Sequence, residues 1–301
     1  MALRALYDLP APAKLNLFLH VVGRRADGYH LLQSVFVLID WADVLHLERR
    51  SDSALARRDL GPALPADDLC LRAARVLQQA SGCGLGVDIT LDKRVPTGAG
   101  MGGGSSDAAT TLLGLNRLWG LHWPRQRLLA LAAAIGADVP FFVGGSNAVV
   151  EGIGERLTPI ELNPAWFAVV KPQAELATAT IFASPRLQRS PEAVIVTGSL
   201  ADAFAPRSVP AGWVAQVLAG HGRNDLQAAA EEHCSEVAQA AAWLQARFGN
   251  SRMTGSGSAV FARAGTGDQP EAAFVTESLP SGWVGRLCRS LARHPLADWA
   301  G

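Results

Sequence analysis

The chain has no run of about 18 apolar residues, which excludes a membrane-spanning helix and predicts no membrane partner. Its N-terminus has no basic region leading into an apolar stretch, as a secretory leader would, and patterned sequence starts near Ala11. A cytoplasmic protein is therefore expected. Neither charge is in excess: 27 Lys plus Arg stand against 27 Asp plus Glu. That balance argues against a protein built to hold nucleic acid, while leaving room for a local basic pocket. Cysteines are few: Cys70, Cys83, Cys234 and Cys288 form no C-x-x-C pair. Their spacing suits neither zinc nor a disulfide framework, so reduced thiols are expected. There is no internal repeat. What the chain does have is 301 residues, 49% of them hydrophobic, enough for one large domain or two moderate ones.

Periodicity places the elements. Val87 to Asp92 alternates apolar and polar, as a half-buried strand does, and Val44 to Leu47 is a shorter example. Leu17, Leu19 and Val21 mark another strand, and the run Val35 to Ile39 reads as a buried one. Helical spacing appears at Leu69, Ala73, Val76, Leu77 and Ala80. It recurs at Leu128, Leu129, Ala132 and Ile135, with Pro124 at the start and Gly136 as the stop. An alanine-rich stretch from Ala228 to Phe248, ended by Gly249, reads as one long helix. Strands and helices mix without strict alternation, which predicts an α+β or mixed-sheet fold. Gly and Pro gather between about Glu151 and Pro164, so two domains are expected, residues 1–157 and 158–301. Residues 184–212, rich in Pro, Ser and Ala, read as an irregular surface segment.

The most informative stretch is Pro96-Thr97-Gly98-Ala99-Gly100-Met101-Gly102-Gly103-Gly104-Ser105-Ser106, between a strand and the helix-like run Ala108 to Leu118. Glycines without Cβ atoms can take positive φ and press their amides against a ligand. Successive N–H groups then form an anion-binding nest, to which the following helix adds its unpaired amides and dipole. Ser105 and Ser106 can cap that helix, bond a phosphate oxygen or help hold a metal ion. A flexible linker is the plainer reading, but linkers rarely join a strand to an apolar helix. A Walker A loop would end in Gly-Lys-Ser/Thr, and no lysine is there. Gly98, Gly100 and Gly103 match a dinucleotide-binding spacing, yet no Asp or Glu occurs from Ala108 to Ala137 to bind a ribose.

Three further blocks accompany the loop: Ala11-Pro12-Ala13-Lys14-Leu15-Asn16-Leu17 with Asp27-Gly28-Tyr29-His30; Gly136-Ala137-Asp138-Val139-Pro140; and Met253-Thr254-Gly255-Ser256-Gly257-Ser258. Together and in this order they resemble the GHMP kinase superfamily, over nearly the whole chain from Ala11 to Phe261. The Asp-Gly-Tyr-His block brings the likeness nearest to the branch that acts on a CDP-linked methylerythritol in non-mevalonate isoprenoid biosynthesis. The resemblance implies a two-domain α+β fold with the active site in the interdomain cleft. It further implies ATP on Pro96–Ser106, a small-molecule CDP-methylerythritol substrate phosphorylated on its 2-hydroxyl, and a monomer or weak homodimer. Lys14 and Asp138 align with the superfamily's catalytic pair. Asn16, Tyr29, His30, Thr178 and Phe182 align with positions that hold substrate, Tyr29 and Phe182 around the cytosine ring. Mg²⁺ is implied with Ser106 as a candidate ligand. The glutamate that other members add before the aspartate has no counterpart between Pro124 and Ala137, so direct or water-mediated metal binding stays open. Met101 stands where leucine is common, a near-isosteric change.

The residue types suit this chemistry. Phosphoryl transfer is mainly positioning and charge stabilisation. The acceptor would be a tertiary hydroxyl, and a carboxylate such as Asp138 can take its proton. In apolar surroundings Asp138 needs a partner, and Lys14 is the natural one. Taken singly, Lys14 reads as a solvated strand lysine and Asp138 as a turn or capping residue. A Tyr-His pair alone is more often packing than recognition. The block at Thr254–Ser258 reads either as a ligand-approaching loop or as a tight turn. Two other functions stay in view: a kinase of the homoserine or mevalonate type, and a nucleotide-binding regulator without catalysis. Tyr29, His30 and Phe182 speak against the first, and the intact Lys14–Asp138 pair against the second.

Overall fold

Two long strands organise the first half of the computed structural model, which describes residues 3–61, 63–190, 212–218, 220–274 and 276–300. They are β1 (Ala5–Arg24) and β2 (His30–Arg49), paired antiparallel along their length. Strand β1 thus starts six residues earlier than the apolar pattern suggests. Every residue from Ala11 to Val21 is buried, because both faces of the strand are covered. The sheet is completed by β3 (Leu55–Leu60), β4 (Val87–Asp92), β5 (Ala148–Gly152) and β6 (Arg156–Pro159), in the order β3-β4-β2-β5-β6 with β1 also on β2. The second sheet has the order β10-β7-β9-β8, from β7 (Ala165–Lys171), β8 (Arg252–Met253), β9 (Val260–Thr266) and β10 (Val284–Arg289).

Strand periodicity sets the layers. On β2, Val35, Val37 and Ile39 face one way and meet Phe167 and Val169 of β7 and Phe261 of β9. The alternate residues Phe36 and Leu38 face the other way, onto a helical layer. That layer contains α1 (Leu69–Ser81), α2 (Gly103–Leu118), α3 (Arg125–Ile135) and α4 (Val139–Gly144). Ala168 and Val170 of β7 point away from the first sheet, toward a cluster that includes Ile181 and Leu244. These belong to α5 (Thr178–Ala183) and α8 (Ser235–Phe248); α6 (Trp213–Leu218) and α7 (Gln227–His233) lie between them in the chain. The result is helices, sheet, sheet, helices, an α+β arrangement in which each sheet is apolar on both faces.

Expectations change at two places. The alanine-rich segment is two helices, broken at Cys234, whose φ of −150° and ψ of 104° are extended. Its composition conceals the break, because tertiary anchors decide it: Glu236, in the first turn of α8, accepts the Ala174 N–H at 3.1 Å. The helix after the glycine loop begins at Gly103, not Ala108, and its N-cap is Gly102, so Ser105 and Ser106 lie inside the first turn and do not cap it. Most of the irregular stretch 184–212 falls outside the described residues. No helix among the described residues is long and apolar enough to cross a membrane.

Candidate active site

The site is built where the strand β1, the glycine loop and α4 converge. Gly98, Gly100 and Gly102 have φ of +59°, +71° and +70°, a region in which only glycine is unstrained. A Cβ on Gly100 would stand 2.3 Å from the Thr254 carbonyl oxygen, and one on Gly255 would stand 2.6 Å from the Gly100 oxygen. The two glycine-rich blocks are therefore pressed together, with Ser258 N–H donating to Gly98 O at 3.1 Å and Ala259 N–H to Ala99 O at 3.2 Å. This gives the second block a packing reason to be small. The first intrahelical amide of α2 is that of Ser106, bonded to Gly102 O at 2.9 Å. The amides of Gly103, Gly104 and Ser105 have no protein acceptor among the described residues, and they project from the positive end of a 16-residue helix. The Ser106 hydroxyl is buried beside them and also lacks a partner. Thr97 spends its hydroxyl on Glu175, at 3.0 Å.

Lys14 reaches this point because β1 is irregular around it. The β1–β2 register shifts between Pro12 and Lys14 and again between Asn16 and Leu19, and such bulges re-aim side chains. Ala13, Leu15 and Leu17 enter the core between the sheets, so Lys14 and Asn16 face the opposite side. The Lys14 amide donates to Met101 O at 3.0 Å, which fastens the strand to the loop. Its Nζ donates to Asn16 Oδ1 at 2.6 Å and Gly100 O at 3.1 Å, lies 4.5 Å from the centre of the Phe36 ring, and stands 3.6 Å from Asp138 Oδ2. Burial lowers the pKa of this lysine; the Asp138 carboxylate opposes that shift. Asp138 precedes α4 but makes no side-chain capping bond, so its carboxylate is not consumed by the helix. Arg125 holds that helix from behind, donating to the carbonyls of Val143 at 2.6 Å, Gly144 at 3.1 Å and Ala300 at 2.7 Å.

One cavity of about 680 Å³ takes in Lys14, Asn16, Tyr29, His30, Asp138, Thr178 and Phe182, together with Gly100 and Gly102 of the loop. All seven cleft residues singled out from the sequence are thus brought together. Against known proteins, a model of the GHMP kinases N terminal domain matches residues 68–146, and one of the GHMP kinases C terminal matches residues 210–284. The chain belongs to the GHMP kinases. It is 63% identical to the 4-diphosphocytidyl-2-C-methyl-D-erythritol kinase of Methylibium petroleiphilum, over all of both chains. It is 54% identical to the enzyme of that name from Verminephrobacter eiseniae, over 99% of each chain. A crystal structure of 4-(cytidine 5'-diphospho)-2C-methyl-D-erythritol kinase is similar at 35% identity, with a TM-score of 0.73, covering 93% of this chain and 98% of that one. A homoserine kinase from Cytophaga hutchinsonii, 16% identical with a TM-score of 0.65 over 97% and 95% of the two chains, shares the fold.

At the far end of this GHMP kinase cleft, a tight turn presents the two aromatic residues. Gly28 has φ of +92°, Tyr29 N–H donates to Asp27 Oδ1 at 3.2 Å, and Arg24 Nε donates to Gly28 O at 3.0 Å. The His30 ring stacks on Phe182, with centroids 5.2 Å apart and planes 22° apart, whereas Tyr29 stands 62% exposed. The His30 pKa is lowered, first by burial, then by Arg24 and Arg189. Thr178 Oγ1 meets Ser256 Oγ at 2.8 Å, joining α5 to the second glycine block.

Under the loop lies a cluster that reasoning from sequence missed. Lys93 contacts Asp43, and its Nζ is 2.8 Å from Asp107 Oδ2. Asp43 Oδ1 also accepts the amides of Arg94 at 2.6 Å and Val95 at 2.7 Å, fixing the chain just before Pro96. Burial raises the Asp107 carboxyl well above its usual range, opposed by Lys93 and reinforced by Asp43. A signal was available. The chain has three lysines, Lys14, Lys93 and Lys171, among 27 basic residues, and none of them is exposed. Where arginine serves the surface, each lysine marks a place for a compact ammonium.

Proposed function

We propose that this chain transfers the γ-phosphoryl group of ATP to the 2-hydroxyl of 4-diphosphocytidyl-2-C-methyl-D-erythritol, giving the 2-phosphate, in non-mevalonate isoprenoid precursor biosynthesis. The observation that carries this reading is a single cavity with the Lys14–Asp138 pair beside the glycine loop and the His30–Phe182 stack at its other end. A stacking platform there suits a substrate bearing a base; homoserine and mevalonate carry none.

In this mechanism the free amides at the start of α2 and the loop backbone cradle the ATP phosphates. The acceptor hydroxyl lies between Asp138 and Lys14. Its oxygen bonds to the γ-phosphorus as the bond from that phosphorus to the β–γ bridging oxygen breaks, ADP leaves with that electron pair, and Asp138 takes the hydroxyl proton. Lys14 steadies Asp138 as a carboxylate and offsets charge on the moving phosphoryl group. Near neutral pH, His30, with its lowered pKa, offers a neutral imidazole to the cytosine edge, while Phe182 and Tyr29 flank the ring. Asn16 and Thr178 line the methylerythritol end.

Mg²⁺ fits the same loop. Among the described residues no group of three or more His, Cys, Asp or Glu side chains could hold a metal. The unpartnered, buried Ser106 hydroxyl is the protein ligand it would use beside the phosphates. When bound, the ion neutralises phosphate charge.

The test is an ADP-release assay with ATP and Mg²⁺, offering CDP-methylerythritol, homoserine and mevalonate to the wild type and to Asp138→Ala. Turnover of the cytidylated substrate alone, lost in the variant, is expected. Turnover of another alcohol would keep the fold and loop and overturn the substrate.

A further inference from the structure

We propose that Ser34 and Thr254 are positioning residues for phosphoryl transfer: they fix the Asn16 side-chain amide with its oxygen toward Lys14, and so hold the ammonium aimed into the cleft. This rests on the reading of Lys14 and Asp138 as the reacting pair.

The directions of the hydrogen bonds follow from counting protons. Ser34 Oγ lies 2.5 Å from the Phe18 carbonyl oxygen, which can only accept, so the one hydroxyl proton of Ser34 goes there. Toward Asn16, 3.0 Å away, Ser34 is then an acceptor, and the Asn16 atom facing it is the NH₂ group. That leaves Asn16 Oδ1 facing Lys14 Nζ at 2.6 Å. From the other side, Thr254 Oγ1 accepts the backbone N–H of Asn16 at 2.9 Å. Its own proton has two acceptors within reach, Asn16 Oδ1 at 3.2 Å and Gly100 O at 3.5 Å, and the nearer is the amide oxygen. The amide is therefore fixed twice, once through its nitrogen and once through its oxygen.

Turning the amide over would set an NH₂ group against an ammonium and a hydroxyl proton against a nitrogen donor. Lys14, Asn16, Ser34 and Thr254 are 3%, 1%, 1% and 0% exposed, so a partner lost inside the network is poorly replaced by water, and an unmatched donor there is costly. With Asn16 Oδ1 and Gly100 O holding two of its protons, Lys14 has one direction left, the side on which Asp138 stands. The network also crosses the molecule: Ser34 is on β2 and Asn16 on β1, while Thr254 follows β8 at the rim of the second sheet. Seating of the second glycine block against the first is thereby tied to the orientation of the lysine. Asn16 has one Nδ2 proton left for the cavity, since its oxygen is committed to Lys14.

The experiment compares Ser34→Ala, Thr254→Val and Thr254→Ser with the wild type. It measures kcat, both KM values, the pH profile of kcat, and melting temperature. For Ser34→Ala and Thr254→Val the expected result is a fall in kcat of about 10- to 100-fold, the worth of one hydrogen bond to a charged group. Both KM values should stay within about threefold in this case. The alkaline limb of kcat should move to lower pH, because the ammonium has lost an oriented acceptor. Thr254→Ser keeps the hydroxyl and recovers most of the activity. A wild-type kcat and alkaline limb in Ser34→Ala and Thr254→Val would overturn the proposal. So would a loss of activity that follows melting temperature and KM with the limb unmoved. If Ser34→Ala does not fold, the Thr254 pair decides alone. Lys14→Met is run beside them: substantial activity in that variant would overturn the reacting pair itself, a different failure from an unmoved alkaline limb.

Discussion

Two buried lysine–aspartate clusters flank the glycine loop, and they differ in what is left over. On the inner side, Lys93 sits between Asp43 and Asp107, whose side chains are 0% and 2% exposed, and Asp43 also bonds two backbone amides. On the cleft side, Lys14 meets one carboxylate, Asp138, at 3.6 Å, and that side chain is 30% exposed. Burial alone would lower both lysines. For Lys93 the attraction of two carboxylates outweighs it and the pKa is raised; for Lys14 one half-open carboxylate does not, and the pKa is lowered. In the inner cluster two buried carboxylates face the lysine and Asp43 also holds the backbone before Pro96, so it fastens the loop, with Asp107 Oδ1 left without a partner among the described residues. The cleft pair is held loosely enough at the carboxylate to accept a substrate. A buried lysine–aspartate pair is thus no sign of catalysis by itself; reserve bonding capacity facing a cavity is.

The comparison is sharpened most by removing the cleft carboxylate. Asp138→Asn should lower kcat by about 10²- to 10⁴-fold, the usual worth of a general base, with a small fall in melting temperature because buried Lys14 loses its one carboxylate. A normal kcat would place the base elsewhere. Next in size, Lys93→Met leaves Asp43 and Asp107 buried without their cation. It should cost about 3–5 kcal/mol of stability in denaturant unfolding, whereas Lys14→Met should cost far less while abolishing turnover. Equal stability losses would erase the distinction between the clusters. A smaller effect is expected at the base end of the cleft. Phe182→Ala should raise KM for the cytidylated substrate by about 5- to 150-fold, corresponding to about 1–3 kcal/mol of stacking, with KM for ATP little changed. Equal rises for both would sink the stacking role.

The smallest effect is one of sign. Lys93 is raised above its ordinary 10.5, so its contribution to stability is complete below pH 10.5 and is lost as pH climbs through the folded value. Lys14 is lowered, so between its folded value and 10.5 the unfolded chain binds the extra proton and stability from this group rises with pH. Unfolding followed up to alkaline pH should therefore show opposite slopes removed by Lys93→Met and by Lys14→Met. The same slope lost in both would count against the contrast.

Much of the site was legible in the chain because its chemistry is local. Five glycines within Gly98–Gly104 can be read as an anion nest without knowing what lies above them, and the alternation of Val87–Asp92 is the strand that the structure contains. Other readings failed where neighbours decide. The helix over Ala228–Phe248 is two, because Cys234 turns extended in a stretch whose composition stays helical. For the Thr254–Ser258 block, residue types alone allow either ligand contact or a tight turn. The 2.3 Å approach that a Gly100 Cβ would make to Thr254 O supplies a packing reason that no spacing predicts.

By itself the sequence determined the glycine-rich loop, the order of the blocks and the kinase family, since these rest on residue types and on intervals of a few positions. Only the tertiary structure decided which lysine is open and which is closed, and which way the Asn16 amide points. Those depend on strand register, on bulges flanking Lys14, and on contacts such as Asn16 with Thr254, 238 positions apart. Burial and hydrogen-bond direction are properties of such long-range neighbours, and no local interval in the chain encodes them.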